Sequence, residues 1–353
     1  MEALVCKPPS SICILRLSAI GDVTHVVPVL RTLQQNWPET CITWVIGRVE
    51  AQLVSDIPGV EFIVFDKSKG LSAYRELHRK LAGRHFDVLL HMQVALRASM
   101  ISLMIPAHIR LGFDRERARD WQWLFSNARI APAQRQHVLD GFFGFAERLG
   151  ISQREMRWDI PIPDEARNFV TETIPQQPRL LLINPCSSAR RNNWRNWSVE
   201  GYARVADYAI KQHGMQVVFS GGPAVQEREY IEQILACMQH PARNLAGQTN
   251  LKQMLALIER ADAMISPDTG PMHMATTVGT PVIGLFATSN PHRTGPYLSQ
   301  QWVINSYPQA LQHFEGISEE QAVWGKRVRH SQAMEMIRAE AVIAQLDSLL
   351  ANL

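Results

Sequence analysis

A chain of 353 residues, 46% hydrophobic and 20% charged, is too apolar to be disordered and long enough to bury the core of two domains. Lysine and arginine number 36 against 33 acids, and a net charge of +3 argues against wholesale nucleic-acid binding. Five scattered cysteines without a CxxC pair argue against a disulfide framework and a zinc site. No run approaches the ~18 apolar residues of a membrane span, and the first residues lack a basic, apolar leader. The expectation is a cytoplasmic protein.

In chain order, Ile12–Leu17 is a short apolar run ending in the small-residue turn Ser18-Ala19-Ile20-Gly21-Asp22. A helix follows, with Val26, Val27, Leu30 and Leu33 on one face. Cys41–Ile46, Glu61–Phe65 and Asp87–Met92 are further buried-strand candidates separated by helical stretches, the pattern of a parallel sheet covered on both faces. Prolines 161, 163, 175 and 178 then punctuate a connecting stretch that contains a polar helix, Asp164–Thr173. A second series begins with strands Arg179–Asn184, Gln216–Ser220, Ala263–Ser266 and Pro281–Phe286, separated by helices that include Val199–Gln212 and Leu251–Arg260. The tail from Ser331 to Leu353 has the apolar spacing of one amphipathic helix. The pattern predicts two doubly wound α/β halves in tandem, with ligands at the carboxyl ends of the strands.

The strand ends carry the chemistry. Gly21 suits a tight backbone turn, and Asp22 suits either a helix cap or a general base. No GxGxxG follows the first strand, which argues against a dinucleotide-binding first half. In the second half, Ser266-Pro267-Asp268-Thr269-Gly270-Pro271-Met272-His273 joins a strand to a helix start, a natural anion site. Asp268 there is suited to sugar hydroxyls or to capping, and His273 to a phosphate. Ser187 and Ser188 stand beside Arg190, Arg191 and Arg195, like a clamp for phosphate oxygens. Gly221-Gly222-Pro223 precedes Glu227 and Glu229, carboxylates suited to a ribose or to a helix surface. Three such strand ends in one half together favour a nucleotide. No Asp-x-Asp pair or carboxylate cluster points to a magnesium site, so no metal is expected.

The stretches Leu17–Val23, Arg195-Asn196-Trp197, Ser220–Pro223 and Asp268–His273 resemble the ADP-heptose-dependent lipopolysaccharide heptosyltransferases of glycosyltransferase family 9, and the likeness runs from the first strand to Tyr297. The resemblance implies a GT-B fold, two Rossmann-like domains facing a central cleft. Its expected parts are an acceptor domain over 1–165, an ADP-heptose domain over 166–330 and a tail, 331–353, packed back on the first domain. It implies an inverting, metal-independent glycosyltransferase with no cofactor and ADP-heptose as donor. In that reading Asp22 is the catalytic base, and Ser187, Ser188, Thr269 and Gly270 hold the diphosphate with His273 beside it. Arg195 stands where the family has a lysine, with Arg190 and Arg191 as neighbours able to share its role. Glu227, or Glu229, takes the ribose, and Thr249 and Asn250 approach the adenine.

The implied acceptor is Kdo-lipid A of the lipopolysaccharide inner core, reached by peripheral contact with the cytosolic face of the inner membrane. Residues 97–135 carry seven arginines against three acids, which suits an anionic acceptor, an anionic membrane face or a solvated basic surface; Arg97, Arg115 and Arg117 are the candidate acceptor contacts. The wording of the motifs is most like the enzymes that add the first heptose. The alternatives are addition of the second heptose, a GT-B sugar-nucleotide epimerase, or a binding module without catalysis.

Overall fold

The structure, a computed structural model, describes residues 3–187 and 193–353. The chain forms two compact units, Met1–Pro161 and Ile162–Leu353. The first is built on strands β1 (Ser11–Leu15), β2 (Cys41–Gly47), β3 (Val60–Phe65), β4 (Phe86–His91), β5 (Ala107–Gly112) and β6 (Ala128–Arg129). They form one sheet in the order β3-β2-β1-β4-β5-β6, and every neighbouring pair is parallel. The second unit carries β7 (Leu180–Ile183), β8 (Gln216–Phe219), β9 (Arg243–Asn244), β10 (Ala263–Pro267), β11 (Val282–Phe286) and β12 (Ile304–Asn305). Its sheet, β12-β11-β10-β7-β8-β9, is again parallel throughout.

Both sheets thus repeat the Rossmann order 3-2-1-4-5-6. The chain reverses its winding between β1 and β4, and again between β7 and β10. Helices that cross to opposite faces diverge there, leaving a crevice at the strands' carboxyl ends. Uniformly buried strands such as β7 (LLLI) and β11 (VIGLF) reflect cover on both faces.

Four strands escape a reading of apolar runs. β5, AHIRLG, is interrupted by Arg110, whose guanidinium donates to the carbonyls of Ser102, Ile105 and Phe125. β6, β9 and β12 span two residues each, too short for any periodicity. The polar helix Asp164–Thr173 is no mere linker: it packs on the helix Leu251–Arg260, and Arg167 pairs with Glu259 at 2.9 Å. The unit boundary therefore precedes it, slightly earlier than the expected 165/166.

The tail corrects the expectation of one continuous helix. It forms a short 3-10 turn, Ala333–Met336, and then a helix, Ala339–Leu350, instead of one continuous helix. At the break the Ile337 carbonyl accepts from the indole of Trp197 at 2.9 Å. The helix packs within the second unit, against the helix Val199–His213. Val342, Leu346 and Leu349 join that unit's core, and Tyr208 and His213 both bond Asp347. Trp197 itself is buried, and a side chain at Gly201 would meet its ring at 2.7 Å, so only glycine fits there.

Candidate functional site

In the first unit the chain leaves β1 through Arg16 and Leu17. Arg16 is buried, an arginine closing an apolar strand, and its Nη1 donates to the Met92 carbonyl beyond β4 at 2.6 Å. Its Nη2 forms an ion pair with Asp22 Oδ2. The Leu17 N–H donates to Gln93 Oε1 at 2.7 Å, so β1 and β4 are stitched together where the winding reverses. The Leu17 carbonyl accepts from Gly47 N at 3.0 Å, and a Cβ on Gly47 would lie 2.3 Å from that oxygen. Gly47 is required by this close approach.

The helix Ile20–Asn36 starts with Ala19 as its cap, and Asp22 in the first turn accepts from Ala19 N at 3.4 Å. A carboxylate is favoured there by the exposed N–H groups and the helix dipole. Gly21 is helical and buried, with no left-handed backbone, because the helix begins one residue before it; the tight-turn expectation for Gly21 is corrected. Asp22 keeps 34% of its side chain exposed. Both of its contacts fall on Oδ2, so Oδ1 is without a hydrogen-bond donor among the described residues.

In the second unit the junction between β10 and the helix Gly270–Val278 is capped by Thr269, whose Oγ1 accepts from Met272 N and bonds Ser266 Oγ at 3.0 Å. Asp268 is not an open carboxylate for a sugar. It is buried, with Ser289 Oγ at 2.9 Å from Oδ2, His273 Nε2 at 3.9 Å from Oδ1, and Arg195 reaching its carbonyl at 2.7 Å. Burial pushes its carboxyl up, but the His273 contact, the Arg195 charge and the Ser289 hydroxyl outweigh this and hold it well below the usual range. Arg195 and His273 thus both stand against the Asp268 carboxylate and its carbonyl.

Ser187 follows β7, and its hydroxyl donates to Asn193 Oδ1 at 2.6 Å; Asn193 in turn donates to Asn196 and accepts from Arg195 N. Ser188, Arg190 and Arg191 lie outside the described residues. Glu227 turns toward the end of β8, where its Oε2 accepts from Gly222 N at 2.6 Å, whereas Glu229 is exposed on the same helix. Thr249 precedes Asn250, which is taken up as the cap of Leu251–Arg260 with Gln253 in reciprocal bonding. In the first unit Arg97 and Arg115 are exposed, but Arg117 is a loop pin, bonded to Asp114, Gln136 and the Ala131 carbonyl.

Two participants were missed in the sequence. Arg16 sits in an apolar run two residues before the Gly-containing turn; a charge at the end of a buried strand was the available signal. Arg327 belongs to a tail segment without periodicity. The Val328 N–H between Arg327 and Arg329 bonds the Thr288 carbonyl just beyond β11 at 3.0 Å, which brings the segment to the sheet's carboxyl end. Desolvation and the charges of Arg195, Arg293 and Arg329 lower the pKa of Arg327, with Asp268 opposing. Among the described residues Arg327 has no ion pair.

This constellation, two Rossmann-like units with a half-open carboxylate at one switch point and arginines on a helix start at the other, is that of a GT-B glycosyltransferase. The profile described as glycosyltransferase family 9 (heptosyltransferase) matches residues 74–323, and the chain belongs to that family. It is 42% identical over 346 residues to the lipopolysaccharide core heptosyltransferase OpsX of Haemophilus influenzae, covering 98% of this chain and 99% of that protein. The solved glycosyl transferase family 9 structure from Veillonella parvula is similar, with a TM-score of 0.78 and 25% identity over 98% of each chain. E. coli heptosyltransferase WaaC with ADP shares the fold, with a TM-score of 0.72 at 19% identity over 96% of this chain and 99% of that one. The chain is thus an enzyme, which sets aside the reading as a binding module.

Proposed function

We propose that the enzyme moves heptose from ADP-heptose to Kdo of the lipopolysaccharide inner core, with inversion and without a metal, at the cytosolic face of the inner membrane. The observation that carries this reading is Asp22, with Oδ2 anchored by Arg16 and Oδ1 open. A base needs one fixed oxygen for aim and one free oxygen for the proton. The acceptor hydroxyl attacks the anomeric carbon, its proton passes to Asp22 Oδ1, and the new glycosidic bond forms as the bond to ADP breaks on the opposite face. The departing diphosphate takes the electron pair.

Arg195, Arg327, His273 and the N–H groups at Thr269–Gly270 take up that charge in this reading, with Ser187 beside them. Glu227 serves the ribose through its remaining oxygen, Oε1, since Oε2 is committed to Gly222. The end of the strand beside the first is where Rossmann domains hold ribose hydroxyls, which supports Glu227 over the exposed Glu229. In this reading Thr249 serves the adenine. Asp268 acts through Arg195 and His273 rather than on the sugar. Arg97 and Arg115 remain the acceptor candidates.

The test is incubation with ADP-heptose and Kdo-lipid A, following ADP release and product mass. ADP release that depends on Kdo-lipid A, with one heptose added, is expected. Turnover only with an acceptor already carrying one heptose assigns the second transfer instead, and no release with any core acceptor overturns the reading.

A further inference from the structure

The segment Asp120–Phe125 is inside out. Its polar member, Gln122, is fully buried and donates to the carbonyls of His91 and Gln93 while accepting from Phe113 N. Its apolar neighbours Trp121, Trp123 and Leu124 face solvent. Asp120 and Trp121 hold φ of 49° and 57°, a left-handed backbone that non-glycine residues adopt at a cost. The backbone carbonyls that Gln122 satisfies account for the buried amide, but two tryptophans and a leucine left facing solvent add nothing to the stability of the unit.

The adjoining helix Leu96–Ser102 completes the face. It packs on the same turn, and Leu96 N donates to Asp120 Oδ2 at 3.2 Å. Leu96 and Met100, with Leu103 just past the helix, recur at helical spacing on its outer side, while Ala98, Ser99 and Ile101 are buried beneath. These six apolar side chains are between 41% and 70% exposed, and scattered surface hydrophobics do not gather in this way.

Charge around the patch is mainly positive, three exposed arginines against the exposed acids Glu116 and Asp120. Arg97, Arg115 and Arg119 are exposed and form no ion pair among the described residues, whereas Asp114 is committed to Arg117 and Asp120 to Leu96 N. Exposed tryptophans and leucines ringed by arginines match a lipid–water interface: indoles at headgroup depth, aliphatic chains just below, guanidiniums on lipid phosphates. The excess of unpaired guanidiniums favours lipid phosphates over a protein partner of ordinary composition.

We infer that this face, Leu96, Met100, Leu103, Trp121, Trp123 and Leu124 with its arginine rim, seats the enzyme on an anionic bilayer. The inference deepens the lipid-acceptor reading and rests on it for its purpose, although the seating can be measured without it. The probe is sedimentation of the full chain with vesicles of phosphatidylethanolamine and phosphatidylglycerol, with phosphatidylcholine vesicles as control. Wild type partitions onto the anionic vesicles, and salt weakens this. Trp121→Ser/Leu124→Ser lowers the partition coefficient at least tenfold with unchanged melting. It also slows transfer to a vesicle-borne acceptor but not to a delipidated, water-soluble one.

If that pair fails to fold, Met100→Ser/Leu103→Ser gives the same reading on the helix. Variants that partition like wild type overturn the inference. So does a wild-type dimer that the variants dissolve without change in vesicle binding, which would make a second copy the occupant. Loss of vesicle binding in the variants, in an enzyme that turns over no core acceptor, leaves the seating standing and rejects the functional reading instead.

Discussion

Asp22 and Asp268 each follow one of the two strands that flank the reversal point of their sheet, the first strand in one unit and the fourth in the other, each beside a helix start and an arginine. Their surroundings differ. Asp22 is one-third exposed with one oxygen anchored and the other open, whereas Asp268 is buried with both oxygens engaged, by Ser289 and by His273. The same fold therefore yields one carboxylate with an open oxygen and one with both oxygens engaged. Solvent access and the number of donors decide between the two roles.

The sharpest break of this comparison is Asp22→Asn. It should lower kcat by about 10²–10⁴ while ADP affinity stays unchanged, as read by ADP release and calorimetry. Near-normal turnover would remove Asp22 from the chemistry. Asp268→Ala should act the other way, on the fold before the reaction: loss of about 3 kcal/mol in denaturant unfolding, with weakened ADP binding, because Arg195 and His273 lose their buried counter-charge. Unchanged stability with lost turnover would make Asp268 a catalytic group after all.

Arg327→Ala should weaken ADP binding about tenfold and leave melting unchanged, the loss of one charge-assisted contact at an otherwise unpaired guanidinium. Equal ADP affinity would confine the anion site to Arg195 and the helix start.

Acid should separate the units by a smaller margin. In the first unit His91 is fully buried, and burial, with Arg110 nearby, lowers it from 6.5 to about 3. Between those values the unfolded chain binds a proton that the folded one refuses, so stability falls with falling pH, by up to about 1.4 kcal/mol per unit. Asp268 is also lowered, but from 3.8, so its contribution is intact until the pH drops below about 4 and is lost only from there down. Hydrogen exchange at pH 5 should show the first unit opening more readily than at pH 7, and His91→Phe should abolish that difference.

Much of the fold was legible in the sequence. Strands such as Cys41–Gly47 and Ala263–Pro267 are apolar runs bounded by turns, and the helix Leu251–Arg260 has its expected ends because Asn250 and Gln253 form a local capping box. Strand β5 was not, because Arg110 finds its acceptors in carbonyls that only the folded chain brings near. In the site, the motifs around Asp22 and Asp268 stand out as residues, but their division of labour does not. Donors from Arg16, His273, Ser289 and Arg195 set it, some of them many residues away along the chain.

The sequence alone determined the periodicities, the caps and the small-residue turns at the strand ends, all of which are interactions within a few residues, together with the motifs that carry the family resemblance. Tertiary structure decided what depends on distant partners: which carboxylate keeps an open oxygen, which arginines are pins and which are free, and where the tail helix packs. It also decided that Gln122 goes in while Trp121 goes out. Hydrophobic pattern predicts burial only while backbone polar groups are satisfied nearby; where the sheet ends leave carbonyls of His91 and Gln93 without a donor, an amide takes the interior and the apolar side chains are displaced to the surface.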